Sequence, residues 1–386
     1  VPGGLQTFQN QSLRLVVHVS VGGARLRIRL SNVYGRLPLL IGRARIAHRT
    51  TGAEIDAASD RPLTFQGRPS VSIPGHSTVV SDAVDLDVPA LSDLAVSVFL
   101  PGISPATTSH SLARQTNYVS AELGGDVTGE VKFPVDRTIR SWPFLTGVDV
   151  VLPRGASIVA IGSSLTDGDG ASMDGNRRWP DVLAERLQKS GGARAELGVL
   201  NLGIIGNRLL HDSPPGAENP FGGALGESGL ARFERDVLGQ SGVRYVFIGL
   251  GINDIAFPGK FVFTPPDEDV SAEDLIRGYR QLIARAHEKG VRIIGTTMPP
   301  FENSVFKAPH LEFYTPEKEA IRRKVNDWIL ASREFDGAVD FDAAVRDPEH
   351  PTRILAAYDA GDHLHLNDAG YTAKANAIPL SLFDTP

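Results

Sequence analysis

The chain has 386 residues, 41% of them hydrophobic, a net charge of −6 and no cysteine. Its length exceeds one typical domain, so two are expected, and the acidic balance excludes a general nucleic-acid binder, which needs a basic face. Without cysteine there is no thiol catalysis, disulfide or cysteine-based metal site, and no apolar run approaches the ~20 residues of a membrane-spanning helix.

The chain opens at Val1, without the apolar segment of a signal peptide. A processed, secreted product would start this way, so an extracellular setting is expected. From Leu13 to about Leu100 the pattern has period two. LRLVVHVSV (13–21), ARLRIRLSN (24–32), STVVSDAVDLDV (77–88) and DLAVSVFLP (93–101) alternate apolar and polar residues. Such alternation suits half-buried antiparallel strands, and Gly22-Gly23 between the first two predicts a hairpin turn. Long helical periodicity is absent, so residues 1–153 are read as an all-β sandwich of jelly-roll type.

After Pro153 apolar strand-like runs alternate with amphipathic helices. The runs are ASIVAIG (156–162), LGVLNLG (197–203), VRYVFIGLG (243–251), VRIIGTTM (291–298) and GAVDFD (337–342). Helices are predicted over Trp179–Gln188, Ser271–Lys289 and Thr315–Ser332, with Pro180 and Asp181 favourably placed in a first turn. This alternation implies a parallel sheet covered on both faces over residues 154–386. Such sheets bind ligands beyond the carboxyl ends of their strands.

The turn after each strand is therefore the place to look for chemistry. Gly162-Ser163-Ser164 comes after the first, Gly203-Ile204-Ile205-Gly206-Asn207 after the second, and Asn253-Asp254 after the third. Asp362 and His365, three residues apart, stand near the C-terminus. A serine hydroxyl needs a base to become a nucleophile, and histidine supplies one. An aspartate on the other ring nitrogen holds that base in one tautomer. A glycine amide and an asparagine carboxamide are suitable donors to a developing oxyanion.

The order Ser164, Gly206, Asn253, Asp362-x-x-His365 resembles the four blocks of the SGNH (GDSL-type) hydrolases, over roughly Ala156 to Ala377. The resemblance implies a flavodoxin-like three-layer α/β/α domain, serine esterase or lipase activity, and no cofactor or metal. Carried over by position, Ser164 is the nucleophile, His365 the base and Asp362 the orienting acid. The Ser164 and Gly206 amides and the Asn253 side chain form the oxyanion hole. The family's first block usually reads Gly-Asp-Ser-Leu, whereas here it is Gly162-Ser163-Ser164-Leu165, so Ser163 fills the aspartate slot. That change removes a carboxylate beside the oxyanion and a local hydrogen-bond acceptor from the turn.

The expected substrate is a small-molecule or glycan ester with a short, acetyl-like acyl group. One alternative is a longer-chain lipid acylhydrolase or thioesterase with the same site; another is a glycan-binding protein whose hydrolase half has decayed. MPPFENSVF (298–306) is read as an apolar substrate wall. Asn253-Asp254 read alone fits a helix cap. His363 is read as structural or rim-exposed, and His211 as a pocket, capping or surface residue. DGDGASMDG (167–175) departs from the calcium-loop pattern and is read as a solvated loop. LGIIG and GLGIND fall short of the dinucleotide fingerprint. No Gly-x-Ser-x-Gly elbow occurs anywhere.

Overall fold

The computed structural model describes residues 6–213, 221–261, 263–307 and 310–384. The chain divides into two compact units, Val1–Arg154 with Met173–Gly175, and Gly155–Ser172 with Asn176–Pro386.

The first unit is built from antiparallel strands. Thr7–Val19 pairs with Ser92–Pro105, setting Leu13 opposite Val98 and Leu15 opposite Val96. Strands Asn117–Val119, Arg137–Ile139, Arg43–His48 and Arg61–Leu63 complete a six-stranded sheet. A second sheet centres on Gly23–Ser31, which pairs with Leu145–Val150, Thr78–Val80 and Val84–Val88. Leu13, Leu15, Val96 and Val98 of the first sheet share one core with Leu26, Ile28 and Leu30 of the second. The inward residues of the period-two pattern thus meet between two sheets, as in a β-sandwich.

The hairpin expected at Gly22-Gly23 does not form. Thr7–Val19 and Gly23–Ser31 lie in different sheets, so residues 20–22 carry the chain from one to the other. Gly22 serves close approach instead: a Cβ there would stand 2.5 Å from the Val88 carbonyl oxygen. Two adjacent alternating segments joined by glycines look the same in sequence whether they pair or cross.

The second unit is a parallel five-stranded sheet of β1 (Ala156–Gly162), β2 (Leu197–Gly203), β3 (Val243–Gly249), β4 (Arg292–Thr296) and β5 (Gly337–Val339), in the order β2-β1-β3-β4-β5. This is the flavodoxin-like order, with its switch point between β1 and β3. Eight α-helices accompany it among the described residues: α1 (Ser164–Asp167), α2 (Trp179–Ser190), α3 (Gly229–Arg232), α4 (Ile252–Ala256), α5 (Ala272–Glu288), α6 (Pro316–Ala331), α7 (Phe341–Val345) and α8 (Asp368–Asn376). Helix α2 packs against α8, and α5 against α6.

Helix α5 shows why such segments fold as they do. Ser271 and Asp274 form a reciprocal capping box at its start. Leu275, Ile276, Tyr279, Leu282, Ile283 and Ala286 then recur on one buried face. Strands β3, β4 and β5 stop short of the predicted ends. In β5 the reason is local, because Asp340 accepts from the Ala343 amide and starts α7 there.

Strand register places three glycines in one row at the carboxyl edge. Gly162 on β1 stands beside Gly203 on β2 and Gly249 on β3. A Cβ on Gly162 would meet the Thr166 hydroxyl at 2.1 Å, and one on Gly203 the Asp167 amide nitrogen at 2.2 Å. The row is bare so that the turn carrying Ser164 can sit directly on the strand ends.

Candidate active site

Ser164 is the first residue of α1, buried, with Ser163 as the preceding cap residue in extended conformation. Its Oγ lies 2.8 Å from His365 Nε2, and His365 Nδ1 lies 2.6 Å from Asp362 Oδ2. With the ring proton on Nδ1, Ser164 donates to the ring and the ring donates to the carboxylate. The other Asp362 oxygen accepts from the Leu364 amide at 3.1 Å and the His365 amide at 2.8 Å. Three-residue spacing lets one carboxylate orient both the backbone and the ring of its histidine. Burial pushes the Asp362 carboxyl up, but the His365 ring and the two amides outweigh it and hold the group well below the usual carboxylate range.

Gly206 lies in the turn after β2, where φ is +69° and a Cβ would meet Leu225 at 2.7 Å. Among the described residues, the backbone amides of Ser164 and Gly206 donate to no protein acceptor. Asn253 is buried inside α4 rather than capping it. Its side-chain nitrogen gives one hydrogen bond to the Asn207 carbonyl at 2.9 Å. A carboxamide has two N–H donors, so the second stays available.

This arrangement is braced from behind. Asp254 accepts from the Leu209 and Leu210 amides at 2.7 and 2.8 Å, which ties the segment after Gly206 to α4. Burial pushes the Asp254 carboxyl up to about 6 against the pull of those amides. Asn207 donates to the Leu225 and Glu227 carbonyls and accepts from the buried Arg232 guanidinium, which also reaches the Gly162 carbonyl.

Ser164, His365 and Asp362 are thus joined in one hydrogen-bonded chain, with Gly206 and Asn253 linked through the Asn207 turn. Ser163 takes no part in that chain. Its hydroxyl is fully buried and has no partner among the described residues. His363 is exposed and bonds Asp359 at 2.6 Å, a local loop contact. His211 stands half-exposed, 3.8 Å from Glu268. Among the described residues, no group of histidines and carboxylates is arranged to hold a metal.

The solvated-loop reading of DGDGASMDG needs correction at its first members. Asp167 is buried in α1 and accepts from the Ile205 amide at 3.1 Å, joining the turns after β1 and β2. Asp169 places a carboxylate oxygen 3.8 Å from His365 Nε2. Neither role was visible in the sequence, because a run of Asp and Gly reads equally well as solvent-facing.

Phe306, in the segment expected to form an apolar wall, belongs to a cluster with Phe221, Phe257, Phe261, Phe263 and Phe313, ring centroids 5.1–6.1 Å apart. Phe257 stands one turn after Asn253 and donates to its carbonyl. The Val305 amide donates to the Asp362 carbonyl at 3.3 Å. The cluster is therefore anchored at two of its edges on site residues.

Among solved structures, the chain is similar to an α/β hydrolase enzyme from the metagenome of Lake Arreo, with 23% identity, 58% of this chain and 93% of the other covered, and a TM-score of 0.41. A catalytic mutant of an acetylxylan esterase from Geobacillus stearothermophilus is similar at 21% identity, 58% and 93% coverage, and a TM-score of 0.40. No curated protein matched the chain. The family model of the GDSL-like lipases and acylhydrolases matches residues 158–378, more than half of the chain. The chain belongs to the GDSL-like lipase/acylhydrolase family, and it is an ester hydrolase.

Proposed function

We propose that the protein is a serine esterase that cleaves short-chain, acetyl-like carboxylic esters through an acyl-enzyme. The observation that carries this reading is the continuous path from Ser164 Oγ through His365 to Asp362. In acylation the Oγ proton passes to His365 Nε2 as Oγ bonds the ester carbon, and the carbonyl π pair moves onto oxygen. The amides of Ser164 and Gly206 and the free Asn253 N–H receive that charge. The tetrahedral species then expels the alcohol, which leaves with the proton from Nε2. Water repeats the sequence on the acyl-enzyme: it loses a proton to Nε2, adds to the carbon, and Oγ leaves with that proton to release the acid. Asp362, held ionised, steadies the imidazolium in both halves.

One observation favours a second reading, a longer-chain acylhydrolase or thioesterase. The phenylalanine cluster that adjoins Asn253 and Asp362 offers apolar surface to a long or aromatic acyl group. A series of aryl esters of increasing acyl length separates the two. The first reading expects turnover to peak at acetyl to butyryl esters; a peak at long chains would overturn it in favour of the second.

A further inference from the structure

Helix α8 starts three residues after His365 and carries a lysine, Lys374, on the face that also holds buried Tyr371 and Ala375. The side chain is only 3% exposed. Its Nζ donates to the Leu165 carbonyl at 3.1 Å, directly after Ser164 in the chain. Ring centroids of Phe341, Trp179 and Tyr371 lie 4.5, 5.9 and 6.0 Å from it. The residue also lines a cavity of about 10 Å³ with Leu165, Thr166 and Thr296, at the lower limit for a single water. Among the described residues Nζ bonds the Leu165 carbonyl and faces those three rings, with no carboxylate paired to it.

A buried ammonium with one carbonyl partner is costly, and an apolar side chain of similar length would fill the site without that cost. What the amine supplies is a grip on α1. That helix is one turn of four residues, too short to hold its own shape. Side-chain donors meet its carbonyl end: Tyr371 at the Ser164 oxygen (3.5 Å), Lys374 at the Leu165 oxygen and Asn201 at the Thr166 oxygen (2.8 Å). Lys374 alone among them is a cation, which is both the stronger donor and the favoured charge at a helix C-terminus.

We propose that Lys374 is a positioning residue of the nucleophile turn: its ammonium, bonded to the Leu165 carbonyl, keeps Ser164 in register with His365. This rests on the serine-esterase reading, in which Ser164 must meet Nε2 squarely. One helix, α8, then fixes both partners, since its start sets the His365 loop and its second turn holds the nucleophile turn.

The charge on Lys374 is sensitive to its setting. Burial alone drives the amine down to about 7. Charged or titratable groups on the surrounding elements are Asp167 on α1, Arg178 at the cap of α2, Asp181, Glu185, Arg186 and Lys189 on α2, Asp342 on α7, and Asp368 and Tyr371 on α8. Several of these are engaged elsewhere: Arg178 pairs with Asp181, Asp342 with Arg322, Asp368 with Ser172, and Arg186 donates to the Ala375 and Ile378 carbonyls. Loss of the Lys374 proton in the neutral to alkaline range weakens its bond to α1.

The test compares the full-length wild type with Lys374→Met and Lys374→Gln. It reads melting temperature, kcat, KM, and the pH profile of labelling by a fluorophosphonate. The expected result for Lys374→Met is a melting temperature unchanged or raised, with kcat reduced roughly 10- to 100-fold and KM little changed. Lys374→Gln, which keeps a donor, recovers part of that loss. The wild-type labelling profile changes in the neutral to alkaline range, where Lys374 loses its proton, in a way that both variants lack. Equal kcat and equal profiles in wild type and variants overturn the role of Lys374. If neither variant folds, Lys374→Leu and Lys374→Ala take their place under the same readouts, and wild-type kcat in either overturns the proposal. Failure of the wild type to label at all is a different outcome, because it removes the serine-esterase reading on which the proposal stands.

Discussion

Arg14 in the antiparallel unit and Lys374 in the parallel unit are both buried cations with no carboxylate bonded to them among the described residues. Arg14 is saturated. Its Nε donates to Ser97 Oγ, and its two terminal nitrogens donate to the carbonyls of Ala53, Val131, Thr128 and Glu130. A guanidinium has five N–H donors, so nothing is left over. Burial lowers its pKa to about 10 against the opposing charges of Asp60 and Glu130, and it stays charged at neutral pH. Lys374 has three donors and one carbonyl, and its charge is lost in a range where enzymes work.

Particular residues of the two units repeat this contrast. Two buried asparagines of the sandwich are closed in the same way as Arg14: Asn117 bonds Val16 and Ser141, and Asn32 bonds Leu37 and Ile73. At the carboxyl edge of the parallel sheet, donors are left open in the Ser164 and Gly206 amides and the second N–H of Asn253. A saturated group is spent on the fold, while an open donor at a strand end is available to a developing oxyanion in the proposed reaction. Ser163 shows that openness alone is insufficient. Its orphan hydroxyl is sealed from solvent and bonds no other group among the described residues.

Substitutions can break this contrast. The largest effect is expected for Ser164→Ala, which should reduce kcat/KM by about 10⁴-fold or more with the melting temperature unchanged. Retained turnover would mean that Ser163 can substitute for its neighbour. Asn253→Ala removes an open donor and should cost ~10²–10³ in kcat, read from initial rates on an activated ester. A KM effect with kcat preserved would instead make Asn253 a binding group. Arg14→Ala leaves carbonyls orphaned and should destabilise the first unit by about 3 kcal/mol, measured by urea unfolding. A neutral result would show that saturation is not what stabilises that cation.

The smallest effect is a slope. The unfolded chain keeps the Lys374 proton to near its ordinary 10.5, whereas the folded protein releases it near 7. Between those values the unfolded state binds more protons, so wild-type stability gains a component that rises with pH. Unfolding titrations of Lys374→Met should lack it. An identical slope in both proteins would mean that Lys374 is not titrating where its burial places it.

The sequence carries much of this site and less of what supports it. Gly162, Gly203 and Gly249 close apolar runs, and strand register then sets them in one row, so the edge where chemistry collects could be found without coordinates. The pairing of the sandwich could not. Alternation assigns faces but not neighbours, and the segments flanking Gly22-Gly23 cross between sheets. Arg14 shows the same limit. In LRLVV it occupies the polar phase of the alternation, yet residues 128–131 cover that face and bury it. Lys374 had a readable signal, a charged residue at the i+3 position from Tyr371 on an otherwise apolar helix face. Asp169 had none, since its approach to His365 depends on how the turn after α1 folds back.

The central claim is that Ser164, and not its neighbour, is the open group on which the reaction turns. Fluorophosphonate labelling of the intact protein, followed by peptide mass mapping, addresses it directly. A single adduct on Ser164, absent from Ser164→Ala, is the predicted result. An adduct on Ser163, or none in protein shown to be folded, would contradict it.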